Sequence, residues 1–397
     1  MLCQFTFKNY KSYKNEVVFD LQATAIPEFE NELLKSEKAD PLLPVSVIYG
    51  PNGGGKSNLL SALSCLIYTV VKPINELKKG KIELTFSQAV DCIPFTFDDN
   101  SKNEPTEFEI FFRTGGNEYR YNLILQNDVI IEEYLYRKTL GGKKSAVIFE
   151  RYESKISLGA SIDKPTVNTD VNPKMPYLSF LAINYNFDTI IEVQKWFESC
   201  ILRSEANPVT ESDLSVIQIS EIKSRVIELL NDMDIDITDY RFDKSSNQFY
   251  FERNINDKKY ELDFAYESEG TKKLVGILPI LLIALQEGRL AIIDELDSKL
   301  HPKLLRYIIM LFKNTEINKN CAQLIFTSHD MSTMKNDVFR RDEIWFAAKD
   351  KEESSELYSL YEIRREDNKR INNTAAYDKQ YLEGRYGADP YLVNILN

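Results

Sequence analysis

Apolar positions along this chain repeat with two periods, and the changes of period mark its elements. Phe5 and Phe7, then Val17 and Phe19, predict two strands across a turn near Ser12 and Asn15. The polar stretch 28–40 reads as a loop or short helix. Residues 45–49 are mostly β-branched or aromatic and predict a buried strand, whereas Leu59, Leu63, Leu66, Ile67 and Val70 share one helical face. Between about 82 and 150 the alternation returns, with Phe108, Ile110 and Phe112, then Tyr119, Tyr121, Leu123 and Leu125. Turn residues at 98–100, 114–117, 126–128 and 141–142 cut this region into an antiparallel meander.

Further along, residues 151–175 are polar, with Pro165 and Pro173, and suggest a boundary or excursion. Residues 176–231 read as helical, strongest at 187–199 and 217–230. Strands follow near 240–242, 248–253 and 259–263, then a long apolar helix at 274–285. Short apolar strands at 291–293 and 323–328 flank a helix at 303–312.

Composition changes this picture little. The 397 residues are 43% hydrophobic and 28% charged, as in ordinary globular chains. A net charge of −12 repels nucleic acid at long range and leaves only a local basic patch open. The five cysteines are scattered and never spaced as CxxC, which predicts reduced thiols and a cytoplasmic location. The polar start is no signal peptide, and no apolar run approaches a membrane span. Asp232, Asp234 and Asp236 resemble the start of a calcium loop, but the glycine and glutamate that such a loop needs are missing.

The chemistry concentrates in one stretch, Gly50-Pro51-Asn52-Gly53-Gly54-Gly55-Lys56-Ser57, a full G-x-x-x-x-G-K-[ST] match between a strand and a helix. Its backbone N–H groups would cradle phosphates with help from Asn58 at the helix start. Lys56 would supply charge, and Ser57 a hydroxyl to Mg²⁺. Asp294 and Glu295 end an apolar strand, where the first could support Mg²⁺ and the second polarise a water. Ser268-Glu269-Gly270-Thr271 precedes the long apolar helix and offers a second anion-binding N-terminus. One nucleotide does not need both, so this second site would serve the ATP of a partner subunit in a two-fold dimer. His329 ends another apolar strand, at a place suited to sensing a γ-phosphate. His301, before Pro302, reads as structural.

These motifs together resemble an ABC-type ATPase head of the OLD, RecF and SMC branch. The opening Phe7-Lys8-Asn9-Tyr10-Lys11-Ser12-Tyr13-Lys14 fits that branch. The stretches Arg340-Arg341-Asp342-Glu343-Ile344-Trp345-Phe346, Leu357-Tyr358-Ser359-Leu360 and Tyr381-Leu382-Glu383-Gly384-Arg385-Tyr386-Gly387-Ala388-Asp389-Pro390 together resemble the AAA family-fifteen abortive-infection ATPases, RloA-like or PARIS-type. The resemblance implies an α/β P-loop NTPase head over 1–397, with an antiparallel β subdomain and a helical lobe. Its parts would be an N-terminal lobe at 1–150, a helical insertion at 151–231, and a segment at 232–397 with signature, Walker B and switch histidine. It also implies that Lys56, Glu295 and His329 carry hydrolysis, that Ser57 and Asp294 hold Mg²⁺, and that Ser268, Glu269 and Gly270 act in trans. The signature departs from S-x-G-Q, and the Q-loop position is best matched by Gln88. No zinc-hook pair or long coiled coil is present, and too little chain follows His329 for a nuclease domain.

The expected function is therefore an ATP-hydrolysing switch that forms homodimers or larger homo-oligomers. It would control a separate nuclease or toxin in bacterial anti-phage defence, with residues 176–231 placed to dock it. The alternative is a RecF- or SMC-like DNA-repair ATPase, with nucleic acid as partner. A GTPase reading lacks the Asn/Thr-Lys-x-Asp motif.

Overall fold

The structure, a computed structural model, describes residues 1–77, 91–203, 220–243, 248–365 and 368–388. Strands β1 (Leu2–Lys8) and β2 (Val17–Asp20) pair antiparallel as their alternation predicts. The stretch 28–40 corrects the expectation of a loop or helix. After one 3-10 turn it forms β3 (Leu34–Ser36) and enters β4 (Ala39–Leu42), a small hairpin anchored by buried Leu34 and Leu42. The surrounding charges hid that short apolar pair. Strand β5 (Val45–Tyr49) and helix α1 (Lys56–Leu77) then follow.

The meander comprises β6 (Thr106–Thr114), β7 (Asn117–Gln126), β8 (Val129–Thr139), β9 (Ser145–Tyr152) and β10 (Lys155–Leu158). It begins later than expected, since 91–105 hold no strand and 82–90 lie outside the described residues. It also continues through β10 into the stretch expected as a boundary. Because β1 pairs with β6, the sheet has seven strands in the order β10-β9-β8-β7-β6-β1-β2.

The expected helical insertion at 151–231 is likewise mixed. It holds α2 (Tyr177–Asn184), α3 (Asp188–Ser199) and α4 (Ser220–Asp232), but also β11 (Ile201–Arg203). Strands β12 (Asp239–Asp243), β13 (Gln248–Ile255) and β14 (Lys258–Asp263) form an antiparallel three-stranded sheet. Helix α5 (Glu269–Glu287), β15 (Leu290–Ile293), α6 (Pro302–Lys313), β16 (Gln323–Thr327), β17 (Ile344–Lys349), β18 (Ser355–Ser359) and α7 (Tyr377–Leu382) complete the described elements.

The central sheet runs β11-β15-β16-β5-β17-β18 and is parallel except for β18. Its inner strands are buried on both faces, which explains their continuous apolar sequences. Val45, Val47, Ala291, Ile293, Leu324, Phe326, Ile344 and Phe346 face a core shared with α4, α5 and α6. Ile48, Ile292, Ile325 and Trp345 face the opposite core, with α1, α2, α3 and the seven-stranded sheet. Helix α1 is the one described helix long and apolar enough to cross a membrane, yet its apolar stripe packs inside this second core.

Arg340-Arg341-Asp342-Glu343, singled out by resemblance, is a bolt between the core and the N-terminal segment. Buried Arg340 pairs with Asp342 at 2.8 Å and donates to the Thr24 carbonyl at 3.0 Å. Arg341 pairs with Glu28 at 2.7 Å, and Glu343 with buried Lys313 at 2.7 Å. Such buried charges persist only when paired. The architecture is the expected α/β one, with the phosphate-loop motif between β5 and α1 and an antiparallel β subdomain.

Candidate functional site

Strand β5 is central in the parallel sheet, and its C-terminal end delivers residues 50–57 to the start of α1. A loop at that edge is where open α/β sheets bind ligands. Three of the loop's glycines, Gly50, Gly54 and Gly55, leave no room for a side chain. At Gly50, with φ +147°, a Cβ would lie 2.1 Å from the Ala347 carbonyl oxygen; at Gly55, with φ +113°, it would lie 2.5 Å from Ser355 Oγ. Only glycine fits both the conformation and the space. Beneath the loop, the Tyr13 hydroxyl donates to the Gly55 carbonyl at 3.2 Å, and Ser355 Oγ donates to Ser12 Oγ at 2.8 Å.

Lys56 is buried, and its Nζ donates to the Gly50 and Pro51 carbonyls at 2.9 and 3.0 Å. Burial pushes its ammonium below the usual lysine range, while Asp294, Glu295 and Asp297 pull it back up. The loop lysine and these three carboxylates thus share one electrostatic environment. Ser57 is exposed at the helix N-terminus, where the first N–H groups lack intrahelical partners. Asn58 instead turns to the N-terminal segment, its side-chain N–H donating to Ser12 Oγ at 2.8 Å.

The carboxylates arrive from β15, two strands away from β5. Thr327, at the end of the intervening β16, donates its hydroxyl to Asp294 Oδ1 at 2.5 Å and accepts the Glu295 N–H at 2.7 Å. Glu295 has φ +50°, a conformation that L residues rarely adopt without support. Its Oε1 lies 3.9 Å from His329 Nε2, and the His329 N–H donates to Asp297 Oδ2 at 2.9 Å. His329, Glu295 and Asp294 are therefore brought together. His301 is not part of this group; its Nδ1 accepts the Lys303 N–H at 3.2 Å and caps α6.

Ser268 caps α5, accepting the Thr271 N–H at 3.1 Å. Glu269 pairs with Lys272 and Lys299, both at 3.0 Å, and these cations hold its carboxyl below the usual range. Among the described residues, Ser268, Glu269 and Gly270 share no hydrogen bond or ion pair with residues 50–57 of the same chain. Gln88 lies outside the described residues. Residues 232–236 form the end of α4 and a turn, with Asp232 accepting from the Tyr307 hydroxyl at 3.0 Å.

The donor set suits a nucleoside triphosphate with Mg²⁺: a buried ammonium, helix N-terminal N–H groups, the Ser57 hydroxyl and the Asp294 carboxylate, hard oxygen ligands for a hard cation. Sequence reasoning missed Tyr13, Ser12, Ser355, Thr327 and Lys273. Ser12 and Tyr13 stand in the opening stretch and Thr327 two residues before His329, but each of the five acts through contacts made at long sequence separation.

No curated protein matches the chain. Among solved structures, the SMC head domain from Thermotoga maritima is similar, at 15% identity and a TM-score of 0.44, covering 90% of this chain and 98% of that one. A family model described as "AAA domain, putative AbiEii toxin, Type IV TA system" matches residues 45–335. That match begins with β5, runs through the loop, the signature segment, Asp294, Glu295 and His329, and covers most of the sequence. The chain belongs to this family of AAA ATPase domains.

Proposed function

We propose that the protein is an ATP-driven molecular switch in which two copies close head to tail around two nucleotides. The observation that carries this reading is the gathering of Asp294, Glu295 and His329 at the ends of β15 and β16, in the same sheet as the strand that delivers the Lys56 loop. Lys56 and the backbone N–H groups of the glycine loop and of Asn58 would bind the phosphates, and Ser57 with Asp294 would hold Mg²⁺. The metal would neutralise phosphate charge. Glu295 would accept the proton of the attacking water, with His329 beside it facing the γ-phosphate. Hydrolysis of this kind needs positioning and charge more than covalent chemistry. Ser268, Glu269 and Gly270 would act in trans, on the nucleotide that the partner subunit presents. ATP would favour the closed dimer only through its better contacts there. The family description names a toxin–antitoxin setting, which supports control of a separate effector, nuclease or toxin, in anti-phage defence.

Glu295→Gln should keep ATP binding, slow hydrolysis at least about a hundredfold, and accumulate an ATP-bound dimer on mass measurement. Hydrolysis at the wild-type rate would sink the assignment. A DNA-binding ATPase is the second reading. It is favoured by exposed Arg364, Arg365, Lys369 and Arg370 around the Arg364↔Arg370 bridge. Salt-dependent duplex binding that vanishes when these four become Glu would support it.

A further inference from the structure

Two consecutive lysines follow the signature segment, and the structure sends them in different directions. Lys272 pairs with Glu269 near the surface, whereas Lys273 is only 3% exposed, one turn into α5. A buried ammonium is costly unless its hydrogens are taken up. Lys273 Nζ donates to the main-chain carbonyl of Glu295 at 2.7 Å. The peptide groups on both sides of Glu295 are therefore held, the N–H by Thr327 and the carbonyl by Lys273. Held in this way is a residue with φ +50°, whose side chain meets His329. A second link runs parallel to the first. Glu269 pairs with Lys299, and a Cβ on Gly270 would lie 3.0 Å from the Lys299 carbonyl oxygen. The N-terminus of α5 therefore contacts residues 295–299 at both points.

We infer that Lys273 is a positioning residue for Glu295. It makes the aim of that carboxylate depend on the signature helix, and so on the nucleotide that the partner subunit presents to Ser268 and Gly270. The inference rests on the switch reading above and adds to it the route by which one ATP site governs the other. An ATP bound to the partner holds the α5 N-terminus. Through the Lys273–Glu295 bond, the hydrolytic side chain of this subunit is then held as well.

The test is a double-mutant cycle on the full-length protein, with kcat, KM for ATP and thermal stability measured for Lys273→Met, Lys273→Arg, Glu295→Gln and Lys273→Met/Glu295→Gln. Methionine keeps the unbranched stem as far as Cε and removes the donor; arginine keeps a donor. Lys273→Met should lower kcat about ten- to hundredfold with KM nearly unchanged, the scale of a small misplacement of a reacting group. Lys273→Arg should restore most of that rate. In the Glu295→Gln background, Lys273→Met should cause no further loss, because its effect passes through Glu295. An additive loss in the double variant, an unchanged kcat, or a loss wholly in KM would overturn the inference while leaving the switch reading intact. If Lys273→Met does not fold, an Arg variant as slow as Glu295→Gln also overturns it. Wild-type hydrolysis by Glu295→Gln alone would remove the underlying reading, and this inference with it.

Discussion

Residues 50–57 and 268–270 both place glycine at a helix N-terminus, and they are built in opposite ways. The first is enclosed: Ala347, Ser355 and Tyr13 press on its backbone, and Lys56 is buried against its carbonyls. The second is open. Ser268 satisfies its own cap, while Glu269 makes half-solvated ion pairs with Lys272 and Lys299. An enclosed, preorganised loop can bind a polyanion by itself, since its N–H groups and charge are already fixed in place. An open helix end offers only the few orphan donors of one turn, and it binds usefully when a second surface supplies the rest. Two glycine-bearing helix starts thus become, through packing, an enclosed loop and an open helix end.

That contrast can be broken experimentally. The largest effect is expected for Gly55→Ala, which forces a side chain into the φ +113° backbone against Ser355 and Tyr13. It should cost about 2–4 kcal/mol in urea unfolding and abolish ATP binding. Lys56→Ala should keep the fold but weaken ATP binding about a hundredfold by calorimetry, as loss of a charge-assisted contact worth about 3 kcal/mol does. Ser268→Arg should leave ATP binding to one subunit unchanged and lower turnover about tenfold or more, removing its dependence on protein concentration. Ser268→Asp sharpens that result, because it keeps the helix cap and repels phosphate; equal turnover by both variants and wild type at all concentrations would refute the trans role. The smallest effect belongs to Glu269→Gln. Its ion pairs are solvent-exposed, so the melting temperature should stay within about a degree. A large drop would mean that the segment is not open after all.

Much of the site could be read from order along the chain. The motif register of residues 50–57 places Lys56 and Ser57 at a helix start without reference to anything else. Asp294 and Glu295 follow four apolar residues, and His329 comes two residues after a strand centred on Leu324, Ile325 and Phe326, so strand ends carry these groups toward one edge. Less visible were short elements whose apolar content is one or two residues. The hairpin of β3 and β4 rests on Leu34 and Leu42, and β11 is three residues inside a stretch that otherwise reads as helical. Periodicity needs several repeats, and these elements have none to offer.

The sequence by itself determined that a phosphate loop joins a buried strand to an apolar-faced helix, and that acidic and histidine-bearing strand ends exist to meet it. Those features depend on local pattern, which every residue carries with it. Only the tertiary structure decided that Thr327 ties Asp294 to Glu295, that Tyr13 and Ser355 floor the loop, and that Arg340 to Glu343 bolt the N-terminal segment to the core. It likewise decided which of two adjacent lysines is buried beneath Glu295. The partners in such contacts stand tens to hundreds of residues apart. Their pairing is fixed by strand order and by the depth at which each side chain is sealed from water, neither of which any local window contains.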